Sequence, residues 1–101
     1  MGPLELQATV DPARVGANQL HLYLFDARTG AQFAGTKELR VDAALPAKGI
    51  GPLEATMRKA GPGHYVADTL QLVPGGDWKL TVHDRVSAFD EYTTTLKVPV
   101  G

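Results

Sequence analysis

Apolar and polar residues alternate with a period of two along most of this chain, and glycine and proline interrupt the alternation at short intervals. This pattern is typical of half-buried antiparallel strands joined by tight turns. It is clearest between Gly61 and Val82, where a Gly-Pro-Gly turn precedes Tyr65. A Gly-Gly turn then precedes a strand that carries Trp78, Leu80 and Val82 on one side. These residues are predicted to form the centre of a core that also includes Leu22, Leu24, Val41, Leu96 and Val98.

Seven strands are predicted in all, with no helix, because no uninterrupted window shows an apolar period near 3.6. They lie around residues 4–10, 20–25, 39–45, 53–57, 65–72, 78–83 and 92–100. Within the strand that begins at Tyr65, the apolar side changes near Asp68 and Thr69, which predicts a β-bulge. The segment Pro46–Pro52, rich in glycine and proline, is predicted to cross between sheets or to fold over one end. The pattern as a whole predicts an all-β antiparallel sandwich of about seven strands.

Length and charge narrow the range of functions. The 101 residues are predicted to form a single domain, residues 1–101, and the absence of cysteine removes disulfides, thiolate metal sites and thiol nucleophiles. The net charge of −1 is spread over single charges and pairs, so we expect no nucleic-acid partner. No apolar run is long enough for a membrane helix, and we expect no direct membrane insertion of this segment.

The beginning of the chain has neither the basic region nor the apolar stretch of a signal peptide, and the first predicted strand begins at Leu4. We therefore expect the segment to come from a longer protein, with Met1 added for expression. A complete small cytosolic protein is the alternative interpretation.

Several short motifs, in order, resemble a known module. They are Asp11–Asn18, Leu20–Asp26, Leu45–Leu53, Gly61–Tyr65, Gly76–Val82 and Arg85–Asp90. Together they resemble the YtkA-like/FixH-like immunoglobulin-type domain found at the C-terminus of CopD/YcnJ-type copper transport and resistance membrane proteins, especially actinobacterial ones. The resemblance extends from about Asp11 to Val100.

This resemblance implies an immunoglobulin-like sandwich that is extracytoplasmic and tethered to the plasma membrane in the full-length protein. It implies a role in copper import or resistance, with the protein's own membrane domain or another copper-handling protein as partner. It does not carry over a metal site. No histidine precedes His21, and Met57 is the only methionine after the first residue. Copper is therefore a possible ligand by association with the family.

Three histidines are the candidate metal ligands, because neutral imidazole binds Cu(II). His21 shares its side of the strand with Tyr23 and Phe25, so it is interpreted as packing beside aromatic residues. His64 follows a turn, and His83 lies on a polar side. His64 and His83 are the best pair if a site exists, and without cysteine or a methionine cluster we expect Cu(II) binding no tighter than about micromolar.

Partner docking is the other candidate activity. Phe89, in the loop before the last strand, is predicted to be an exposed apolar anchor, and Ile50 competes for the same role. Arg85 and Asp90 flank the loop and are predicted either to bridge it as an ion pair or to belong to the docking surface.

Enzymatic function is not expected, since no nucleophile motif or acid–base pair can be assigned. Trp78 and Met57 are interpreted as core residues, and Tyr65 as a structural residue whose hydroxyl reaches a backbone carbonyl. The leading hypothesis is a non-catalytic extracytoplasmic domain of a copper import or resistance membrane protein, acting in docking or accessory copper handling. A fibronectin-like adhesion module unrelated to copper and a stand-alone copper chaperone with a histidine site are the alternatives.

Overall fold

The computed structural model describes residues 2–101, which form eight strands and one short 3-10 helix. The strands are β1 (Leu4–Asp11), β2 (Gly16–Asp26), β3 (Glu38–Leu45), β4 (Ile50–Ala55), β5 (Arg58–Gly61), β6 (His64–Leu72), β7 (Gly76–Arg85) and β8 (Glu91–Val100). The 3-10 helix, Pro46–Lys48, lies between β3 and β4.

Two antiparallel sheets of four strands pack face to face. Sheet A has the order β1-β2-β6-β5, and sheet B has the order β4-β3-β7-β8. The chain changes sheets after β2, after β4 and after β6, so that strands distant in sequence become neighbours. This arrangement is an immunoglobulin-like β-sandwich, and the predicted fold class is confirmed.

The number of strands differs from the prediction of seven. The predicted strand at residues 53–57 corresponds to β4, which ends at Ala55 in sheet B, and the additional strand β5, which begins at Arg58 in sheet A, was not predicted. This additional strand has only four residues and two adjacent basic side chains, so it shows no alternation. Met57, between the two strands, is half-buried against the core as predicted.

The segment Pro46–Pro52 does not cross between the sheets. It connects two neighbouring strands of sheet B, β3 and β4, and Leu45 pairs with Ile50 across it. The 3-10 turn reverses the chain locally, and Gly49 closes it with a φ of 67°. A tight turn of this kind joins antiparallel neighbours, whereas a crossing between sheets takes the chain to a strand in the other layer.

The bulge predicted near Asp68 and Thr69 is confirmed. Asn18 of β2 pairs with Leu70, and Leu20 pairs with Ala67, so that Gln19 alone faces two residues of β6. The extra residue changes which side of the strand faces the core, and it allows both Ala67 and Leu70 to be buried.

The core lies between the sheets and is made by the alternating apolar positions. Of the residues predicted for it, seven are buried: Leu22, Leu24, Val41, Tyr65, Trp78, Leu80 and Val82. Leu96 and Val98 are half-buried, because they lie on β8, an edge strand that has a neighbour on one side only. Trp78 is 1% exposed, and its indole N–H donates to the Pro74 carbonyl at 2.9 Å. Within residues 2–101, the apolar length that a membrane-spanning helix requires is not found in any helix.

Candidate functional site

The loop between β7 and β8, Val86–Asp90, is held in one conformation by its own hydrogen bonds. The Val86 amide donates to the Asp90 carbonyl at 3.0 Å. The Ser87 hydroxyl accepts from the amides of Phe89 and Asp90 at 3.3 and 3.0 Å, and it donates to the Asp90 carboxylate at 3.1 Å. These hydrogen bonds, all made within five residues, hold the backbone of the loop in place around the residue at its tip.

The tip presents Phe89, whose side chain is 96% exposed. The predicted exposure is therefore confirmed. Ile50, the competing anchor, is half-buried against the core and is not free to act in the same way. A large aromatic ring held in water by a rigid loop is the kind of residue that anchors protein interfaces.

The two charged residues that flank this loop do not pair with each other. Arg85 lies 4.0 Å from Glu38, on the adjacent strand β3, and Asp90 is used by Ser87. The predicted Arg85–Asp90 bridge is thus wrong. The Ser87 hydroxyl and the loop amides supply the bonds that close the turn, and Arg85 belongs to the last residue pair of β3 and β7.

His83 lies on the outer face of sheet B between two carboxylates. Its Nε2 is 3.4 Å from Asp42, and its Nδ1 is 3.5 Å from Glu91. The Thr93 hydroxyl is 3.4 Å from the same Nδ1, and Arg40 lies 3.9 Å from Asp42. Both ring nitrogens therefore already face polar groups of the neighbouring strands.

His64 lies on the other sheet, so the structure does not bring His64 and His83 together as the sequence suggested. It brings His64 to His21 instead. Tyr23 pairs with His64, and His21 pairs with Val66, so the two histidines are diagonal neighbours on the outer face of sheet A. His21 Nδ1 and His64 Nε2 are 3.2 Å apart.

Aromatic contacts orient this pair. The ring of Tyr23 lies 4.3 Å from that of His64 with an interplanar angle of 11°, and 6.5 Å from that of His21. The interpretation of His21 as packing beside aromatic residues is confirmed. Its partnership with His64 is the feature missed, since only the register of β2 against β6 could have indicated it.

The turn before His64 depends on glycine. Gly63 has a φ of 64°, its carbonyl accepts from the Leu24 amide at 2.8 Å, and an added Cβ would lie 2.8 Å from the Leu24 carbonyl oxygen. A side chain at this position would force the backbone of β2 away. Gly63 therefore fixes where His64 enters sheet A.

A salt bridge lies beside the histidine pair on sheet A. Arg58 donates from Nε and Nη2 to both oxygens of Asp68, at 2.7 and 2.9 Å. These bonds hold the pKa of the Asp68 carboxyl below its usual value and raise that of the guanidinium. Asp68 is thus already occupied by a cation of the protein itself.

Asp84 is the one buried carboxylate among the described residues, and it is fully enclosed between the sheets. Neither carboxylate oxygen has a hydrogen-bond partner within residues 2–101. Burial raises the pKa of the Asp84 carboxyl. Burial also raises the pKa of Tyr65. The Tyr65 hydroxyl makes no bond to a backbone carbonyl within residues 2–101, contrary to expectation.

The described residues contain no group of three or more His, Cys, Asp or Glu side chains placed to hold a metal ion. Any metal bound by this part of the chain would have open positions for water or for a ligand from another molecule. The chain matches no family model, no curated protein and no solved structure.

Proposed function

We propose that this chain is a non-catalytic, extracytoplasmic immunoglobulin-like domain that docks in a copper import or resistance system. The loop Val86–Asp90 is its docking element, with Phe89 as the anchor. The observation that carries the docking role is the 96% exposure of Phe89 on a loop fixed by its own hydrogen bonds. The copper system is supported by the resemblance of the motifs described above.

The rigidity of the loop supports docking more than exposure alone does. A flexible aromatic side chain loses conformational entropy when it is bound, and this loss subtracts from the affinity. Here Ser87 and Asp90 have already ordered the backbone around Phe89. The partner would need an apolar pocket for one aromatic ring, with polar groups around it to meet Arg85 and Asp90.

The partner is the extracytoplasmic face of a copper import or resistance membrane protein, which the resemblance implies is the domain's own parent. The sequence of the parent gene provides a first test. Adjacent membrane spans rich in histidine and methionine would support the proposal. Tandem sandwich repeats without such spans would favour the adhesion module instead.

Site-specific photo-crosslinking in the native cell provides the direct test. A photoreactive residue replaces Phe89 in one variant and Leu53 in a control, since Leu53 is also exposed, at 54%, but lies on the edge strand β4. We expect crosslinks to a copper-handling membrane protein from position 89 only. Crosslinks to a cell-surface adhesion partner, or equal yields from both positions, would overturn the proposal.

A copper measurement completes the test. Phe89→Ser should change the copper content of cells grown in limiting or excess copper, whereas Leu53→Ser should not. Both variants need equal protein levels for the comparison. Unchanged copper content in the Phe89→Ser cells would mean that Phe89 has no role in copper transport. This conclusion would hold even if Phe89 binds a partner.

A further inference from the structure

We infer that His21 and His64 form a binding site for one divalent transition-metal ion, with Cu(II) preferred, on the outer face of sheet A. The inference stands on the geometry of two imidazoles and does not depend on the proposed docking function. Their nitrogens are 3.2 Å apart although the ring centres are 5.4 Å apart, so the rings meet edge to edge. The two nitrogens therefore face each other, and a metal ion placed beside the line that joins them can contact both.

The tautomer of His21 places the lone pair on the nitrogen that faces His64. Its Nε2 lies 2.8 Å from the side-chain oxygen of Gln19, which only accepts hydrogen bonds. Nε2 therefore carries the hydrogen, and in the neutral ring Nδ1 accepts a hydrogen bond from the His64 Nε2–H at 3.2 Å. A metal ion would take the place of that hydrogen, and the hydrogen of His64 would then lie on its Nδ1. A ligand histidine characteristically donates its second ring N–H to a polar group in this way.

The second imidazole is positioned before any metal arrives. His64 follows the turn fixed by Gly63 and stacks on Tyr23 at 4.3 Å. Val66, which pairs with His21 and lies two residues after His64 on the same side of β6, is only 2% exposed, so packed side chains cover the sheet at this place. Such support lowers the entropy that ordering the two ligands would cost.

The distances suit a metal ion. With metal–nitrogen bonds of about 2.0–2.1 Å, two nitrogens 3.2 Å apart subtend an angle of about 100° at the metal. That angle lies between the cis angle of a tetragonal site and the angle of a tetrahedral one. Cu(II) forms the strongest complexes with nitrogen ligands among the divalent first-row ions, so it is favoured over Ni(II) and Zn(II).

The remaining ligands are water or come from another molecule. Asp68 is bound by both arms of Arg58, and that nearby guanidinium opposes a cation. With only two protein ligands, the affinity for Cu(II) should be about micromolar, as for other incomplete sites. An incomplete site of this kind can receive and release its ion readily.

Calorimetry and electron paramagnetic resonance with Cu(II) test the site in tag-free protein, in a buffer that does not bind copper. We expect one equivalent of Cu(II) and a spectrum with two coordinated nitrogens. His21→Ala and His64→Ala should each weaken binding at least about tenfold, since two linked ligands bind far better than one. Each variant should show one nitrogen fewer.

His83→Ala is the matched control, because His83 lies on the other sheet between carboxylates. It should bind Cu(II) as the parent chain does. Far-UV circular dichroism checks folding, and His21→Gln and His64→Gln replace any alanine variant that fails to fold. Equal losses in all three histidine variants, a nitrogen count unchanged in His21 and His64 variants, or dominant loss in His83→Ala would overturn the site.

The docking proposal and the metal-site proposal are tested independently of each other. Phe89→Ser should leave Cu(II) binding unchanged, and the His64 variants should leave crosslinking from position 89 unchanged.

Discussion

The outer faces of the two sheets each carry a histidine on a central strand, and the two histidines have opposite surroundings. On sheet A, His21 of β2 meets a second imidazole, that of His64, at 3.2 Å. On sheet B, His83 of β7 meets Asp42 and Glu91 at 3.4 and 3.5 Å. The two residues have the same chemistry and equivalent places in the sandwich.

The difference lies in the neighbouring strand. On sheet A the neighbour is a second imidazole, which supplies another nitrogen ligand, whereas on sheet B both ring nitrogens of His83 already face carboxylates. An arginine lies near both positions, Arg40 at 3.9 Å from Asp42 on sheet B and Arg58 bound to Asp68 on sheet A, so this charge does not distinguish the two faces. A histidine in a sheet therefore acquires its role from the strand register.

The largest effect is expected from the loss of Trp78, which lies in the core between the two sheets. Trp78→Ala should lower the free energy of unfolding by about 3–5 kcal/mol, because a fully buried indole leaves a cavity and a lost hydrogen bond to Pro74. Chemical denaturation measures the loss, and Trp78→Phe should cost less. A loss below about 1 kcal/mol would mean that Trp78 is not the centre of the core.

The next largest effect concerns Asp84, which lies on the inner side of β7, directly after His83 on the outer side. Asp84→Asn should stabilise the protein at neutral pH by about 1–3 kcal/mol, because burying a neutral amide without a partner costs less than burying an unpartnered carboxylate. The sign follows from the raised pKa of Asp84 in the folded state. Between its ordinary value and this raised value, the folded protein keeps a proton that the unfolded chain releases.

Stability of the parent chain should therefore fall as pH rises through that window and remain lower above it. Denaturation from acidic to neutral pH should show Asp84→Asn gaining on the parent chain as pH rises and matching it most closely in acid. Asp42→Asn, on the outer side, should show no such gain. A destabilised Asp84→Asn at neutral pH would mean that the carboxylate has a partner in solution.

A smaller effect on stability is expected on the outer face of sheet A. Tyr23→Leu should cost about 0.5–1.5 kcal/mol of stability, the contribution of the aromatic stacking with His64. It should also weaken Cu(II) binding severalfold, since His64 loses its support. Thr93→Ala, which removes a contact of His83, should leave Cu(II) binding unchanged in the same calorimetric experiment. Unaltered binding in Tyr23→Leu would show that the stacking does not position the ligand.

The smallest effect is expected on the sheet B face. Asp42→Asn should lower the free energy of unfolding by about 0.2–1 kcal/mol, because ion pairs near the surface contribute little. High salt should reduce the difference further, as exposed charges are screened. A loss of several kcal/mol that persists in high salt would mean that the contact between His83 and Asp42 stabilises the fold as strongly as a core residue does.

The sequence by itself determined the layers of this protein. Period-two alternation assigns each side chain to one side of its strand, which is why the burial of Trp78, Leu80 and Val82 and the bulge at Asp68 and Thr69 could be predicted. The exposure of Phe89 followed from its place in a loop between two strong strands.

Only the tertiary structure decided which side chains meet. The strand β5 was not predicted, because a short link carries the chain from one sheet to the other after β4 and no local pattern marks such a link. His21 meets His64, and Arg85 lies near Glu38, because β2 pairs with β6 and β3 with β7. Alternation fixes the side on which a residue lies, but the pairing and register of strands come from packing of the whole core, so contacts between distant strands cannot be deduced from either strand alone.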